Sequence, residues 1–375
     1  MQEKLIALSV AGLLAAPVFA QSGITVYGLI DYGYVSLGSS SKGHAIRNAI
    51  DSGISSSNRI GFKGTEDLDN ALKAMFVLEQ GLTGDTGPLW NAGQARQFYA
   101  SLASGFGTVA FGRQTIPQHN FTDAVDPFGK DGLGSAANVL MQDMRMNNLA
   151  TYTSPDFGGF RFILGYTFNA STEKNLENNG DIRVWVIAPS LTWDKLFVAA
   201  NYHSAKRNNA HGDSPNAYNV FDLYASYDFG FIRLGGMVGR RTTNKGIINI
   251  GTQAAPVTPD KDSKLTQWMI GATFEITPND LALASYGRAA ENNLDGNGKR
   301  AISQWAIGYE HALSKRTVVY SQFAMQNHNA AFNDAGVFYT YRHDSTVGSV
   351  ACSNLNTGCD ALYRRGFAVG FRHSF

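Results

Sequence analysis

The residues best placed to do chemistry in this chain are charged side chains spaced along short alternating segments. Arg59 and Lys63 flank Ile60 and Phe62, while Lys73 and Glu79 interleave with Leu72, Ala74, Phe76 and Leu78. Arg96 and Arg113 lie in the next two segments, and the stretch from Thr115 to Met146 carries Asp123, Asp126, Asp131 and Asp143 with Lys130 and Arg145. Dispersed arginines and aspartates of this kind supply no nucleophile and no matched acid and base. What they can build is a field, acting on charged or dipolar solutes that pass between them.

Catalytic motifs fail. Gly105-Phe106-Gly107-Thr108-Val109-Ala110 fits a dinucleotide pattern by letters, but a tight turn between strands stands where a strand-to-helix turn is required. No GxSxG, HExxH or phosphate loop occurs, and Asp295-Gly296-Asn297-Gly298 lacks the downstream acidic ligands of a calcium loop. No catalytic residue, cofactor or metal is expected. The two cysteines, Cys352 and Cys359, share a polar stretch; in an exported chain they point to a disulfide closing a small loop, because a metal site would want further ligands. Export is expected from residues 1–20, where Lys4 precedes an apolar run and small residues Val18 and Ala20 precede a cut before Gln21. The folded domain would then span residues 21–375.

The elements that must hold these charges are strands. Phe160, Phe162, Leu164, Tyr166 and Phe168 occupy every second position, and Phe367, Val369, Phe371, His373 and Phe375 repeat the pattern at the end of the chain. A period of two gives one apolar face and one polar or small face. About sixteen such segments follow one another, at roughly 22 residues per strand and connection. Short connections such as Trp193-Asp194-Lys195 and Pro278-Asn279-Asp280 alternate with long polar ones, the signature of an up-and-down meander.

Such a sheet must close, because long apolar edges aggregate. A barrel of this size is too wide for side chains to fill, so the polar face turns inward and the apolar face meets lipid. Composition agrees: charged residues are 16%, aromatics 12% and glycines number 40, with 31 Lys and Arg against 30 Asp and Glu. That balance gives no bulk attraction for nucleic acid. The expected fold is therefore all-β, a 16-stranded antiparallel transmembrane β-barrel. Tyr166, Phe168, Trp185, Trp268, Trp305, Tyr309, Phe371 and Phe375 are expected in the interfacial girdles, with a sugar-stacking track as the sharper alternative.

Several segments resemble the trimeric porins of betaproteobacterial outer membranes, the neisserial type included. They are Ile24-Thr25-Val26-Tyr27-Gly28 with Asp31, Asn58 to Leu68, Phe111-Gly112-Arg113-Gln114, Arg145 with Asn148 and Tyr152, Ser154 to Phe160, Leu313 to Thr317, and Gly366 to Phe375. The resemblance implies a homotrimer with one aqueous pore per barrel, set among outer-membrane lipid and lipopolysaccharide. It implies that Phe375 is read by the insertion machinery, and that the third extracellular loop, Thr115 to Met146, folds inward and constricts the lumen. On that basis Arg59, Lys73, Arg96 and Arg113 on the wall would face Asp123, Asp126 and Asp131 on the loop. For Arg113 a second role stays open, as a multidentate tether of the loop. The function implied is passive diffusion of small hydrophilic solutes and inorganic ions, and the three wall arginines, Arg59, Arg96 and Arg113, point to a mild anion preference. A substrate-specific channel of the same fold is the alternative.

Overall fold

The computed structural model describes residues 23–39, 47–68, 71–85, 95–129, 132–140, 145–170, 182–207, 217–243, 263–292, 299–328 and 363–375. Ala20, Gln21, Asp131, Cys352 and Cys359, and with them the expected leader cleavage and disulfide, lie outside the described residues.

The described strands are β1 (Gly23–Ser39), β2 (Arg47–Ser52), β3 (Arg59–Asp67), β4 (Lys73–Gly81), β5 (Ala95–Ser104), β6 (Gly107–Thr115), β7 (Arg145–Thr153), β8 (Phe160–Thr167) and β9 (Ile182–Trp193). They continue as β10 (Leu196–Arg207), β11 (Ala217–Asp228), β12 (Ile232–Thr243), β13 (Ser263–Thr277), β14 (Asp280–Asn292), β15 (Arg300–Ala312), β16 (Thr317–His328) and β17 (Tyr363–Ser374). Between β6 and β7 stand one helix, α1 (Pro117–Val125), and a 3-10 turn at Ala136–Asn138.

The strands pair antiparallel around the wall and β1 pairs with β17, so the sheet formed by the described residues closes on itself. The seam is locked where Gly28 and Phe375 exchange two backbone hydrogen bonds of 3.1 Å. The segments β2 and β3 occupy one place in the wall: β2 pairs with the upper half of β1, and β3 with the lower half. The barrel therefore has sixteen wall positions, one of them filled by a strand interrupted at residues 53–58.

Alternation sets the two faces. In β9, Trp185 and Ile187 are exposed to the outside, while Val184, Val186 and Ala188 are buried inside. Tyr166 meets Phe168 edge-on and Trp185 at a tilt near one rim, with ring centroids 4.8 and 4.7 Å apart. The inner face is not polar throughout, as the strand pattern alone suggests. Beneath the inward-folded loop it is apolar, because Ile116, Met146, Leu149, Val184 and Val186 form a cluster that the loop seals from water.

Candidate functional site

The narrow part of the lumen is built by the segment between β6 and β7, which enters the barrel and packs on the wall. Proline at the first position of α1 pre-sets the helical φ where no amide donor is needed. Pro117, Gln118, Phe121, Thr122 and Val125 then fall on one buried face, leaving Asn120 and Asp123 exposed to the water of the lumen. Phe121 packs edge-on against Phe197 and Tyr224, at centroid distances of 6.0 and 5.6 Å. Polar contacts fix the register: Gln118 donates to Asp222 at 2.7 Å, and Arg233 donates to the carbonyl of Ala124 at 2.6 Å. Farther on, Gly134 donates to Gln322, while Ser285 and Gln304 donate to the carbonyls of Gly134 and Ser135. The loop thus lies along the wall from β10 to β16, across the barrel from β3 to β5.

Close approach to that wall needs glycine. A Cβ on Gly235 would sit 2.3 Å from the carbonyl oxygen of Val125, and one on Gly271 would sit 2.3 Å from the Pro127 ring. The two glycines are cross-strand partners and form a flat seat under the end of α1.

Asp126 does not face the gap. It is buried, and it accepts hydrogen bonds from the amides of Phe128 (3.1 Å) and Ala136 (2.7 Å) and from the hydroxyl of Ser135 (3.2 Å). It staples the two halves of the loop together. Burial pushes its carboxyl up to about 7, outweighing the three donors that favour the charged form. A carboxyl raised above its unfolded-chain value binds its proton more tightly when the loop is in place. The linked stabilisation is therefore complete in acid and is lost as pH rises through about 7. Asp126→Ala leaves two buried amides without their acceptor, at a cost of about 1–3 kcal/mol each. The expected outcome is a folded channel with noisier single-channel current. The parent should grow noisier as pH rises from about 5 to about 8, and that rise should be absent from the variant.

On the opposite wall, Glu79 is flanked by two arginines. Arg96 pairs with it at 2.7 Å with 3% of its side chain exposed, and Arg59 approaches it at 3.8 Å with 26% exposed. The hydroxyl of Tyr27 donates to the same carboxylate at 3.0 Å. Among the described residues, two guanidinium groups stand against the single carboxylate of Glu79, and Arg59 is the more exposed of the two. Arg59 and Lys63 face inward as their alternation with Ile60 and Phe62 predicts. Arg96 does so for another reason. It shares strand parity with the exposed Phe98, Ala100 and Leu102, but the register between β4 and β5 shifts at Glu79/Gln80, and this bulge turns Arg96 into the lumen.

The remaining wall residues lie elsewhere. Lys73 pairs with Asp67 at 3.0 Å, six residues along β4 from Glu79 and so roughly 20 Å away toward the short-turn end of the barrel. It lies outside the narrow section, because parity gives a residue's face and not its height. Arg113 is the cross-strand partner of Phe98 and has the parity of the exposed Phe111, so its strand position is on the outer face. Its guanidinium runs along the wall, donating to the Ala95 carbonyl at 2.8 Å and to Asn147 at 2.5 Å, the contacts of a tether at the base of the loop. Alternation with Ala74, Phe76 and Leu78 turns Glu79 inward, but its role against the two arginines emerges only in the folded barrel. Gly61, on the same face as Arg59, is the cross-strand partner of Glu79, which brings the two side chains together.

A closed antiparallel barrel with an apolar outer belt, a polar gap and a loop folded into its lumen is a passive water-filled channel of the bacterial outer membrane. The sequence profile of the Gram-negative porin family matches residues 7–331, and the chain belongs to that family. It is 28% identical to outer membrane porin protein 32 of Delftia acidovorans over the whole of both chains. It is 27% identical to an outer membrane porin protein of Bordetella pertussis, over 89% of this chain and 97% of that one. Against the P.IB major outer membrane protein of Neisseria gonorrhoeae the identity is 25%, covering 84% and 91%. Among solved structures, the anion-selective porin from Comamonas acidovorans superposes with a TM-score of 0.71 at 24% identity, covering 95% of this chain and all of that one. Salmonella typhi OmpF gives 0.64 at 18% identity, covering 96% and 99%. These structures share the fold. Family and fold are those of channels and not of enzymes.

Proposed function

We propose that this channel is a general-diffusion pore for small hydrophilic solutes and inorganic ions, with a mild preference for anions, working as a homotrimer. The observation that supports the anion preference is the convergence of two guanidinium groups, Arg59 and Arg96, on the lumen-side carboxylate of Glu79, with Arg59 the more exposed to water. Asp123, the exposed acidic residue of α1, supplies the opposite sign on the loop side, which keeps the preference mild. The Comamonas protein that shares the fold is anion-selective, and Vibrio cholerae OmpT, another structural neighbour at 14% identity, has a trimer form; both support the reading.

Purified protein in a planar bilayer under a potassium chloride gradient should give a reversal potential of the sign set by chloride. Neutral sugars should lower the current in proportion to their concentration, without saturation. A potassium-selective reversal potential ends the anion reading. Saturable block by one solute class would establish the substrate-specific alternative.

A further inference from the structure

The interrupted strand is itself a part of the constriction. Leu29 pairs with Arg59 and Tyr32 with Ser52, so the two residues between, Ile30 and Asp31, lie opposite the six residues 53–58. The surplus leaves the wall and folds into the lumen. An excursion of this length takes its backbone groups out of the ladder, and a single residue, Asp31, accepts from three of its amides. Gly53 donates to the Asp31 carbonyl at 2.9 Å, and the Asp31 amide donates to the Asn58 side chain at 2.6 Å, which holds both ends. One carboxylate oxygen of Asp31 accepts from the amides of Ser55 and Ser56 at 2.7 and 2.6 Å, which holds the middle. The other oxygen accepts from Tyr320 at 2.5 Å. Ser55 is further fixed by donors from Gln322 at 3.2 Å and Arg372 at 2.9 Å.

The folded-in segment touches both sides of the pore. Its carbonyl at Ile54 accepts from the amide of Leu133 on the third loop at 3.0 Å, and Ile54, Leu133 and Phe128 are buried in one apolar cluster with Val35. At its other end the carbonyl of Ser57 accepts from the guanidinium of Arg59 at 3.0 Å. The third loop is therefore gripped by a part of the barrel wall that also aims the exposed arginine.

We infer that residues 53–58 are a second constriction element, and that Asp31 is the positioning residue that fixes the pore's size limit together with its charge selectivity. The inference extends the channel reading and does not require the anion preference: Asp31 bears on where the loop and Arg59 sit, whatever ion the pore favours.

The test uses the whole protein reconstituted in planar bilayers, with heat-modifiable migration confirming a folded barrel. Two variants separate the roles. Leu133→Ala loosens the loop from the segment but leaves the segment in place; it should admit larger neutral polymers and raise conductance, with the parent reversal potential. Asp31→Ala releases the segment; it should raise conductance by about twofold and also shift the reversal potential, because Arg59 loses its hold. Where Asp31→Ala gives no folded barrel, Tyr320→Phe removes only the hydroxyl on Asp31 and should move both readouts in the same direction by less. Folded Asp31→Ala, or Tyr320→Phe in its stead, with the parent's polymer cut-off and reversal potential overturns the inference. So does a change in polymer cut-off with no change in selectivity, which reduces Asp31 to a support of the loop alone.

Discussion

Arg59→Glu is expected to invert the ion preference of this channel. The substitution replaces a cation by an anion at the more exposed of the two guanidinium positions beside Glu79, a change of two charge units. A unit charge acting on an ion about 4 Å away through water contributes about 1 kcal/mol. Two units change the relative cost of passing a chloride and a potassium ion by several times that figure before screening. Every 1.4 kcal/mol is a factor of about ten, so the permeability ratio should cross unity and move by an order of magnitude or more at low salt. At about 1 M salt the Debye length falls to about 3 Å and most of the effect should vanish. Reversal potentials at two ionic strengths check both statements. An unchanged sign at low salt would mean that ions pass out of reach of Arg59. Arg59 is the informative position: Arg96→Glu would bury a second carboxylate against Glu79 and damage the barrel instead of reporting on the pore.

Gly235→Val is expected to narrow the pore without touching any charge. Its Cβ would lie 2.3 Å from a backbone carbonyl of the loop, and a backbone atom cannot swing aside as a side chain can. To reach an ordinary contact of about 3.5 Å the end of α1 must lift by about 1 Å away from its wall, which carries it toward Arg59. Single-channel conductance should fall by roughly half, and large neutral solutes should be excluded first. Gly105, in a turn where an added Cβ meets nothing within 4 Å, provides the control, and Gly105→Val should leave conductance unchanged. A Gly235→Val channel with parent conductance would show that the loop is free to yield at its tip.

These expectations differ in how far the sequence alone could have led to them. Alternation in Asn58 to Leu68 suffices to turn Arg59 inward, because which face a residue takes depends only on its immediate neighbours. The same local rule yields the series of about sixteen strand segments. Closure follows from the cost of an open apolar edge, and the lipid-facing outer belt follows from the width of a sixteen-strand barrel. Glycine and aromatic abundance and scarce charge agree with that reading.

Other features were settled only by register and by contacts distant in sequence. A bulge reverses the parity of Arg96, and nothing in its neighbours marks it, since the shift is defined against the partner strand. Lys73 has the inward face that its spacing predicts but the wrong height, and height depends on where each strand begins relative to the loop. Asp126 looks like a pore charge in the sequence; its partners at Phe128, Ser135 and Ala136 come together only when the loop folds back on itself. The inward excursion at 53–58 reads as a polar connection until it is set against Asp31. What the chain determines by itself is the period-two backbone and the side of the wall each residue takes while that period runs unbroken. The tertiary structure decides which charges meet across the gap, because a field depends on distances between residues that no local pattern records.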